Sequence, residues 1–246
     1  MLYGTLPEVI TSPDIETKQK TLRSYVETYL KEEIFMEGLV RQLPAFQKFL
    51  TVAASENGNL LSWANLAADI GIDAKTIRSY FKILEDTLIG FLLPAYEKSL
   101  RKQQRTHPKF YFFDTGVKRA LAHELTLPLS QGTSEYGNAF EHFWITEIFR
   151  QNQYLEKDYK FSYFGTPDLE IDLVIERPGK STLMVEFKST TNVKERDLSG
   201  LKSIQRDYPK FDYICISSEP RKRISNSITI CPWQEALETL GLAGLK

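Results

Sequence analysis

The stretch 169–189, LEIDLVIERPGKSTLMVEFKS, constrains the fold most, because it predicts two β-strands joined by a short turn. Gly179 lies close to the middle of that turn. If the turn centres on Gly179, Asp172 and Glu186 are equally far from it and face each other across an antiparallel pair. Because a strand alternates its faces, Lys188 lies on the same side as Glu186. A slip of one residue in this register would separate the three side chains.

Two carboxylates and a lysine in one patch are suited to metal-dependent chemistry. Mg²⁺ prefers oxygen ligands and often uses only one or two carboxylates, so Asp172 and Glu186 are candidate ligands for Mg²⁺ or Mn²⁺. Such a metal activates water and stabilises charge during phosphodiester cleavage. Lys188 would orient the attacking water or stabilise the phosphate charge. The competing interpretation is a solvated strand face, since an acid and a lysine two residues apart form a short, common motif.

The first half of the chain contains a helix-turn-helix pattern. Helices are predicted from Ile15 to about Phe35, from Leu43 to Ser55, at Leu66 to Asp69, and from Ala74 to about Thr87. Gly71 permits the turn between the last two helices, and Asp73 is placed to cap the last one. That helix carries a basic stripe with the spacing of a DNA-recognition helix. The stripe consists of Lys75, Arg78 and Lys82.

Two extended segments and a basic loop follow this pattern. The segments lie near GFLLPAYEKS and PKFYFFDTG, and the loop between them has several cations and no acid. A hairpin with a basic loop after a helix-turn-helix predicts a winged helix, with the loop as a second nucleic-acid contact. Its candidate contact residues are Lys98, Arg101, Lys102 and Arg105.

The second half has a different organisation. An amphipathic helix, three strands, a helix and a fourth strand predict an α/β unit with a mixed sheet. The overall fold class is therefore α/β (α+β overall), with a helical winged-helix domain followed by a mixed sheet flanked by helices. We expect a lead-in and helix at 1–40, the winged helix at 41–128 and the sheet domain at 129–246.

Composition limits the possible partners and location. The net charge of −1 gives no bulk attraction to nucleic acid or to an anionic membrane, so any such attraction must be local. The two cysteines indicate no disulfide framework and fit a reducing compartment. No apolar run approaches the roughly 20 residues that span a bilayer, and the first residues lack the pattern of a secretory signal. We therefore expect a cytoplasmic protein without a membrane partner.

The spacing of Asp172, thirteen residues, and then Glu186-Phe187-Lys188 resembles the core of PD-(D/E)xK nucleases, which include restriction enzymes and Holliday-junction resolvases. The resemblance implies a restriction-endonuclease-like fold, with Asp172 and Glu186 as core ligands and Lys188 as the catalytic lysine. The preceding helix of these nucleases often supplies a further glutamate in a G-x-x-F-E-like motif. Glu141 matches it, after Gly137 and Phe140, and Glu147 is a weaker substitute. Pro167-Asp168 departs from the pattern, because Asp172 lies better in the strand.

The order of motifs also resembles the C-terminal half of a prokaryotic AAA+-type ATPase family, in which a P-loop domain precedes a winged helix and a nuclease-like domain. The matching segments are GTLPEV at 4–9, YVETYLKEEI at 25–34, LAADIGIDAKTIRSYFKILEDTLI at 66–89, KFYFFDTGVKRAL at 109–121, GNAFEHFWITEI at 137–148, EIDLVIE at 170–176 and VEFKS at 185–189. No G-x-x-x-x-G-K-[ST] occurs, so we expect no ATP site and no ATPase activity in these residues. Residues 1–40 would then be the linker from an ATPase domain, in a fragment or a natural truncation.

Three functions remain open at this level. The chain could be a metal-dependent deoxyribonuclease delivered to DNA by its winged helix. It could instead be a non-catalytic DNA- or protein-binding module of an ATPase. A winged-helix transcription regulator would rest on the helix-turn-helix alone, and it would leave Asp172, Glu186 and Lys188 unexplained.

Overall fold

The computed structural model describes residues 1–30, 40, 43–97 and 107–243. The chain divides into two compact units. The first unit holds Met1–Leu92 and His107–Pro128, and the second holds Leu93–Thr106 and Leu129–Lys246. Helices and a mixed sheet together confirm the predicted α/β class. None of the described helices is long and apolar enough to cross a membrane.

The first unit is mainly helical. Its elements are α1 (Pro7–Thr11), α2 (Ile15–Ser24), a π-helical turn (Tyr25–Leu30), α3 (Leu43–Ser55), α4 (Trp63–Ile70), α5 (Ala74–Asp86), β1 (Gly90–Leu93), β2 (Lys109–Phe112) and α6 (Thr115–Leu121). β1 and β2 pair in a two-stranded sheet. The predicted helix from Ile15 therefore changes to a π-helical turn after Ser24, and the rest of that prediction lies outside the described residues.

The predicted turn between α4 and α5 is confirmed in detail. Gly71 has a φ of 85°, the left-handed conformation that ends α4. The Asp73 carboxylate accepts hydrogen bonds from the backbone N–H groups of Lys75 and Thr76, each at 2.9 Å, and so caps α5. The inward face of α5 is fully buried in the core of the unit, as the spacing predicts. This face consists of Ile77, Phe81 and Leu84.

The N-terminal residues of the first unit are fixed by the start of α6. Asp114 is buried and accepts hydrogen bonds from the backbone N–H groups of Gly116 and Val117, at 2.8 and 3.0 Å. Its other carboxylate oxygen accepts one from the Thr5 backbone N–H at 2.6 Å. Gly4 has a φ of 69° and lies directly against this carboxylate, which leaves no room for a Cβ. Asp114 thus caps α6 and also holds the first residues.

The second unit is a helix-flanked sheet. Its elements are α7 (Ser134–Tyr154), β3 (Lys160–Thr166), β4 (Leu169–Glu176), β5 (Leu183–Lys188), a 3₁₀ turn (Glu195–Leu198), α8 (Ser199–Ile204), β6 (Asp212–Ser217), β7 (Arg223–Ser225), β8 (Ile228–Pro232), a 3₁₀ turn (Trp233–Glu235) and α9 (Ala236–Leu240). The strand order is β3-β4-β5-β6-β8-β7. β3, β4 and β5 are antiparallel neighbours, whereas β5, β6 and β8 are parallel and β7 is antiparallel to β8. The sheet is therefore mixed, as predicted.

Two elements differ from the sequence predictions. Pro7–Thr11, within the predicted lead-in, is a short helix with proline in its first turn, where a missing N–H costs nothing. β7 and β8 form an unpredicted hairpin at one edge of the sheet. β8 completes the sheet beside β6, so the chain continues past the fourth predicted strand before it reaches the closing helix α9.

Candidate active site

The register of β4 and β5 is the one that the turn at Gly179 predicts. The paired residues are Leu173 with Val185, Val174 with Met184 and Ile175 with Leu183. Asp172 and Glu186 are the next facing pair in this register. At this point the Asp172 side chain contacts β5, because its Oδ2 accepts a 2.8 Å hydrogen bond from the Phe187 backbone N–H. The two predicted carboxylates therefore lie at neighbouring positions.

Lys188 joins this patch through Glu186. The Lys188 ammonium lies 2.8 Å from Oε1 of Glu186, which confirms that the two side chains share one face of β5. Glu186 retains only 8% of its surface exposed. It continues the face of Met184 and pairs in register with Cys215 of β6, both of which belong to the core beneath α8. The Glu186 side chain therefore lies on the face of β5 that carries core residues.

Burial and charge perturb the pKa values in this patch. Burial, followed by the nearby negative charge of Asp172, raises the pKa of Glu186 to about 8, although Lys188 opposes this shift. Burial disfavours the charge on Lys188, but the carboxylates of Glu186 and Asp172 outweigh it and raise the pKa of Lys188. Burial also raises the pKa of the Cys215 thiol. Strong perturbations by burial and specific charges are typical of functional sites.

One oxygen of Glu186 is left without a partner. Oε1 accepts the hydrogen bond from Lys188, whereas Oε2 is buried and has no hydrogen-bond partner among the described residues. An unsatisfied buried carboxylate oxygen costs free energy, so it is rare in a folded protein.

A cavity of about 670 Å³ lies beside the patch. Its walls come from the start of α7, from the end of β5 and from the following segment, residues 189–197, which we call the cavity loop. Asp172, Lys188 and Glu141 all contribute to its lining. The predicted glutamate of α7 therefore shares one cavity with two of the three strand residues.

The described residues contain no group of three or more His, Cys, Asp or Glu side chains arranged to hold a metal ion. Glu141, Asp172 and Glu186 are thus not gathered into one ligand cluster. Glu147, the weaker alternative on α7, forms an ion pair with Arg150 at 2.6 Å and does not line the cavity. Between the two α7 glutamates, the structure places Glu141 at the candidate site.

Two cations that line the cavity, Lys194 and Arg196, are not among the residues predicted from the sequence. Their signal in the sequence is a lysine and an arginine two residues apart, a few residues after the strand that ends in Lys188. Without the fold, nothing distinguishes this pair from other charged residues of a surface loop.

The predicted basic stripe on α5 is exposed at all three positions, Lys75, Arg78 and Lys82. Arg78 lies over the ring of Trp63, 5.6 Å from its centroid, which restrains the guanidinium. Lys82 forms an ion pair with Asp86 at 2.9 Å, which neutralises part of the stripe. The loop candidates lie outside the described residues. They are Lys98, Arg101, Lys102 and Arg105.

Comparisons with known proteins give families without an assigned activity. Residues 1–130 match the family model of a domain of unknown function (DUF8612), and residues 136–236 match that of another domain of unknown function (DUF4143). Two uncharacterized proteins, from Mycobacterium bovis and Mycobacterium tuberculosis, are each 26% identical over 240 residues. The match covers 97% of this chain but only 53% of each relative, so the chain spans about half their length. No solved structure shows a significant match.

Proposed function

The chain belongs to the DUF8612 family, and we propose that its second unit is a divalent-metal-dependent nuclease that hydrolyses DNA phosphodiester bonds. The observation that carries this proposal is the facing of Asp172 and Glu186 at the edge of a cavity, with Lys188 hydrogen-bonded to Glu186. A solvated strand face would leave Glu186 exposed, whereas this carboxylate is buried.

The two strand carboxylates, Asp172 and Glu186, offer a set for a divalent cation, although Glu141 does not complete a three-ligand cluster with them in the described structure. The buried Oε2 of Glu186 has no hydrogen-bond partner in the described part of the chain, and the pKa of this carboxyl is raised. A cation at this oxygen would compensate for both the lost hydration and the charge of Asp172. Mg²⁺ and Mn²⁺ accept such a set, since they use few carboxylates and retain several waters.

Asp172 and Glu186 would hold the metal, and Glu141 would approach it from the other wall of the cavity. The metal would supply an activated water and charge stabilisation for phosphodiester hydrolysis. Lys188 has three N–H donors and uses one of them on Glu186, so it can direct the others to the attacking water or to a phosphate oxygen. The Phe187 N–H holds the Asp172 carboxylate in place.

A cleavage assay tests this proposal. Wild-type protein is incubated with supercoiled plasmid and with branched DNA in Mg²⁺ or Mn²⁺, beside Lys188→Ala and Asp172→Asn. Lys180→Ala is the matched control, because Lys180 is exposed in the turn at the far end of β5. We expect cutting to fall by about 100-fold or more in both site variants and to persist in the control. Cutting that survives in both site variants would refute the assignment, as would no cutting by folded wild-type protein with any substrate.

The first unit supports a second candidate, a DNA-binding module without catalysis. The observation that supports this candidate is the exposed basic stripe on α5, which follows a capped turn. We interpret this arrangement as a winged helix-turn-helix. As a binding module or transcription regulator, the chain would bind DNA equally well with and without metal. Binding that is unaffected by metal, together with absent cleavage, would favour this candidate.

We also propose that the chain acts beside a P-loop ATPase. The order of its motifs resembles the C-terminal half of an AAA+-type ATPase family, and its curated relatives are about twice as long. The unmatched half of those relatives provides the test. A G-x-x-x-x-G-K-[ST] after a predicted strand in that half would support the link, and its absence would contradict it.

A further inference from the structure

The cavity loop carries two cations that the proposed hydrolysis does not use, and it also carries two acids, Glu195 and Asp197. Glu195 is paired with Lys202, and Asp197 lies 3.7 Å from the Arg196 guanidinium and offsets part of its charge. Lys194 and Arg196 line the cavity and are exposed, whereas Val193 beside them is buried in the core. The Lys194 backbone N–H donates a 2.8 Å hydrogen bond to Asp197, which closes the turn after Val193. The loop is therefore anchored by one apolar side chain and presents two cations at the cavity.

The loop is fixed to the segment that follows β6 at two points. The Ser218 backbone N–H donates to the Thr190 carbonyl at 3.1 Å. The Val193 N–H donates to Oε1 of Glu219 at 2.6 Å, and the Val193 carbonyl accepts from Nη2 of Arg223 at 2.7 Å. Both backbone groups of Val193 are thus bound by one pair of side chains from another part of the unit.

Glu219 and Arg223 are themselves bound to each other. Nε and Nη2 of Arg223 donate to the two carboxylate oxygens of Glu219 at 2.9 and 2.8 Å. Glu219 is only 7% exposed. Such a two-point pair has fixed geometry, and it restricts the loop more than a single flexible contact would. The two residues therefore hold the position of Val193, and with it the placement of Lys194 and Arg196.

The opposite wall of the cavity is also favourable to anions. It contains the first turn of α7, which is 21 residues long and is capped by Thr133. A helix N-terminus carries partial positive charge and directs N–H groups outward. Hydroxyl groups of Thr190 and Thr191 add further polar lining. The two walls thus offer cations and hydrogen-bond donors that phosphate oxygens can accept from, beside the acids Glu141 and Asp197.

We propose that Lys194 and Arg196 bind the phosphodiester backbone of the DNA strand at this cavity, and that Glu219 and Arg223 are positioning residues for them. The inference rests on the proposed nuclease function, since it assigns the substrate contacts of the same site. Lys194 and Arg196 bind phosphates that flank the scissile one, while Asp172, Glu186 and Lys188 act at the scissile bond.

Binding is measured apart from cleavage. A fluorescent DNA duplex is titrated with the full chain in Ca²⁺, which replaces the catalytic metal, over a range of salt concentrations. The test variant is Lys194→Ala/Arg196→Ala. The matched control is Lys180→Ala/Arg206→Ala, which removes one lysine and one arginine from exposed positions near the other end of β5 and after α8. We expect the test variant to bind about tenfold more weakly and to reduce the salt slope by about 2, with the control unchanged.

The positioning role has its own readout. Arg223→Ala and Glu219→Gln should each weaken DNA binding without removing a phosphate contact. Added to Lys194→Ala/Arg196→Ala, either change should weaken binding little further, because the residues that it positions are already absent. Effects that multiply would overturn the positioning role. A purely structural defect would instead lower the thermal stability equally in the wild-type and Lys194→Ala/Arg196→Ala backgrounds. It would not confine the loss of DNA binding to the wild-type background.

The outcomes separate this inference from the nuclease proposal. An unchanged salt slope in Lys194→Ala/Arg196→Ala overturns the inference, even if the wild type cleaves DNA. A reduced slope together with absent cleavage supports the phosphate contacts and refutes the nuclease. A wild-type chain that binds no DNA overturns both.

Discussion

The Nζ atom of Lys188 lies 2.8 Å from Oε1 of Glu186, and this hydrogen bond leaves Oε2 of the same carboxylate buried without a partner in the described structure. Lys188 therefore provides a hydrogen-bond partner for only one of the two carboxylate oxygens of Glu186. A cation that binds Oε2 need not displace Lys188, so the ion pair and a metal can coexist at one carboxylate. This arrangement distinguishes the patch from an ordinary surface ion pair, in which both oxygens are hydrated.

The raised pKa of Glu186 predicts how metal-free stability depends on pH. Its pKa is 4.5 in the ordinary state and about 8 in the folded protein, so the folded state binds more protons between these values. The free energy of unfolding should therefore fall as the pH rises from about 5 to about 8, by roughly 3–4 kcal/mol. Denaturant unfolding in EDTA measures this change. In Glu186→Gln the decline over this window should be smaller, and a profile identical to wild type would contradict the burial of the charge.

The two glutamates of α7 should differ in their effect on metal affinity. Glu141 lines the cavity, whereas Glu147 is paired with Arg150. We expect Glu141→Gln to weaken Mn²⁺ binding by about tenfold, because a group near the metal contributes this much in comparable sites. Glu147→Gln is the matched control and should bind Mn²⁺ like the wild type. Isothermal titration at pH 8 measures both, and a larger loss in Glu147→Gln would reverse the assignment.

The basic stripe on α5 should contribute to DNA affinity. Lys75→Ala/Arg78→Ala removes two exposed cations that have no acidic partner in a described ion pair, in contrast to Lys82. If both contact phosphate, the salt slope of DNA binding should fall by about 2. Arg23→Ala/Lys48→Ala removes the same charges from exposed positions on α2 and α3 and serves as the control. A fluorescence anisotropy titration compares the two variants, and equal slopes would exclude α5 as the DNA-binding helix.

Gly4→Ala should destabilise the first unit. A Cβ at this position would overlap the Asp114 carboxylate, and the φ of 69° is itself unfavourable for alanine. We expect a loss of about 2 kcal/mol or more, because the helix cap at Asp114 would also be disturbed. Gly71→Ala isolates the backbone term, since its φ is also positive but nothing lies within 4 Å of the added Cβ. Chemical denaturation should show the larger loss for Gly4→Ala, and equal losses would exclude the steric effect.

The local features of the candidate site could be predicted because they depend on short-range rules. The turn at Gly179, which has a φ of 71°, sets the register of β4 and β5, and the register places Asp172 opposite Glu186. Strand alternation then places Lys188 beside Glu186. The cap at Asp73 follows from side-chain chemistry within one turn of the helix. In each case the partners lie within a few residues of each other or are related by the single turn that joins two strands.

The rest depends on contacts that no local pattern encodes. Val193 and Glu219 are 26 residues apart, and their hydrogen bond exists only because β5 and β6 are parallel neighbours. The sequence offers Glu219 and Arg223 as an acid and a base among several in a charged segment. The π-helical turn at Tyr25–Leu30 was missed for a similar reason, because apolar spacing over one turn does not distinguish it from an α-helix.

The hydrogen bond from Thr5 to Asp114 joins residues that are 109 positions apart. During synthesis on the ribosome, at roughly 5–20 residues per second, about 5–20 s separate the appearance of the two partners. Throughout this interval the first residues lack the carboxylate that fixes them, so the helical unit cannot be completed one element at a time. The first residues can therefore be fixed only late in synthesis, and a nascent chain halted before Asp114 should remain accessible to proteases at these residues.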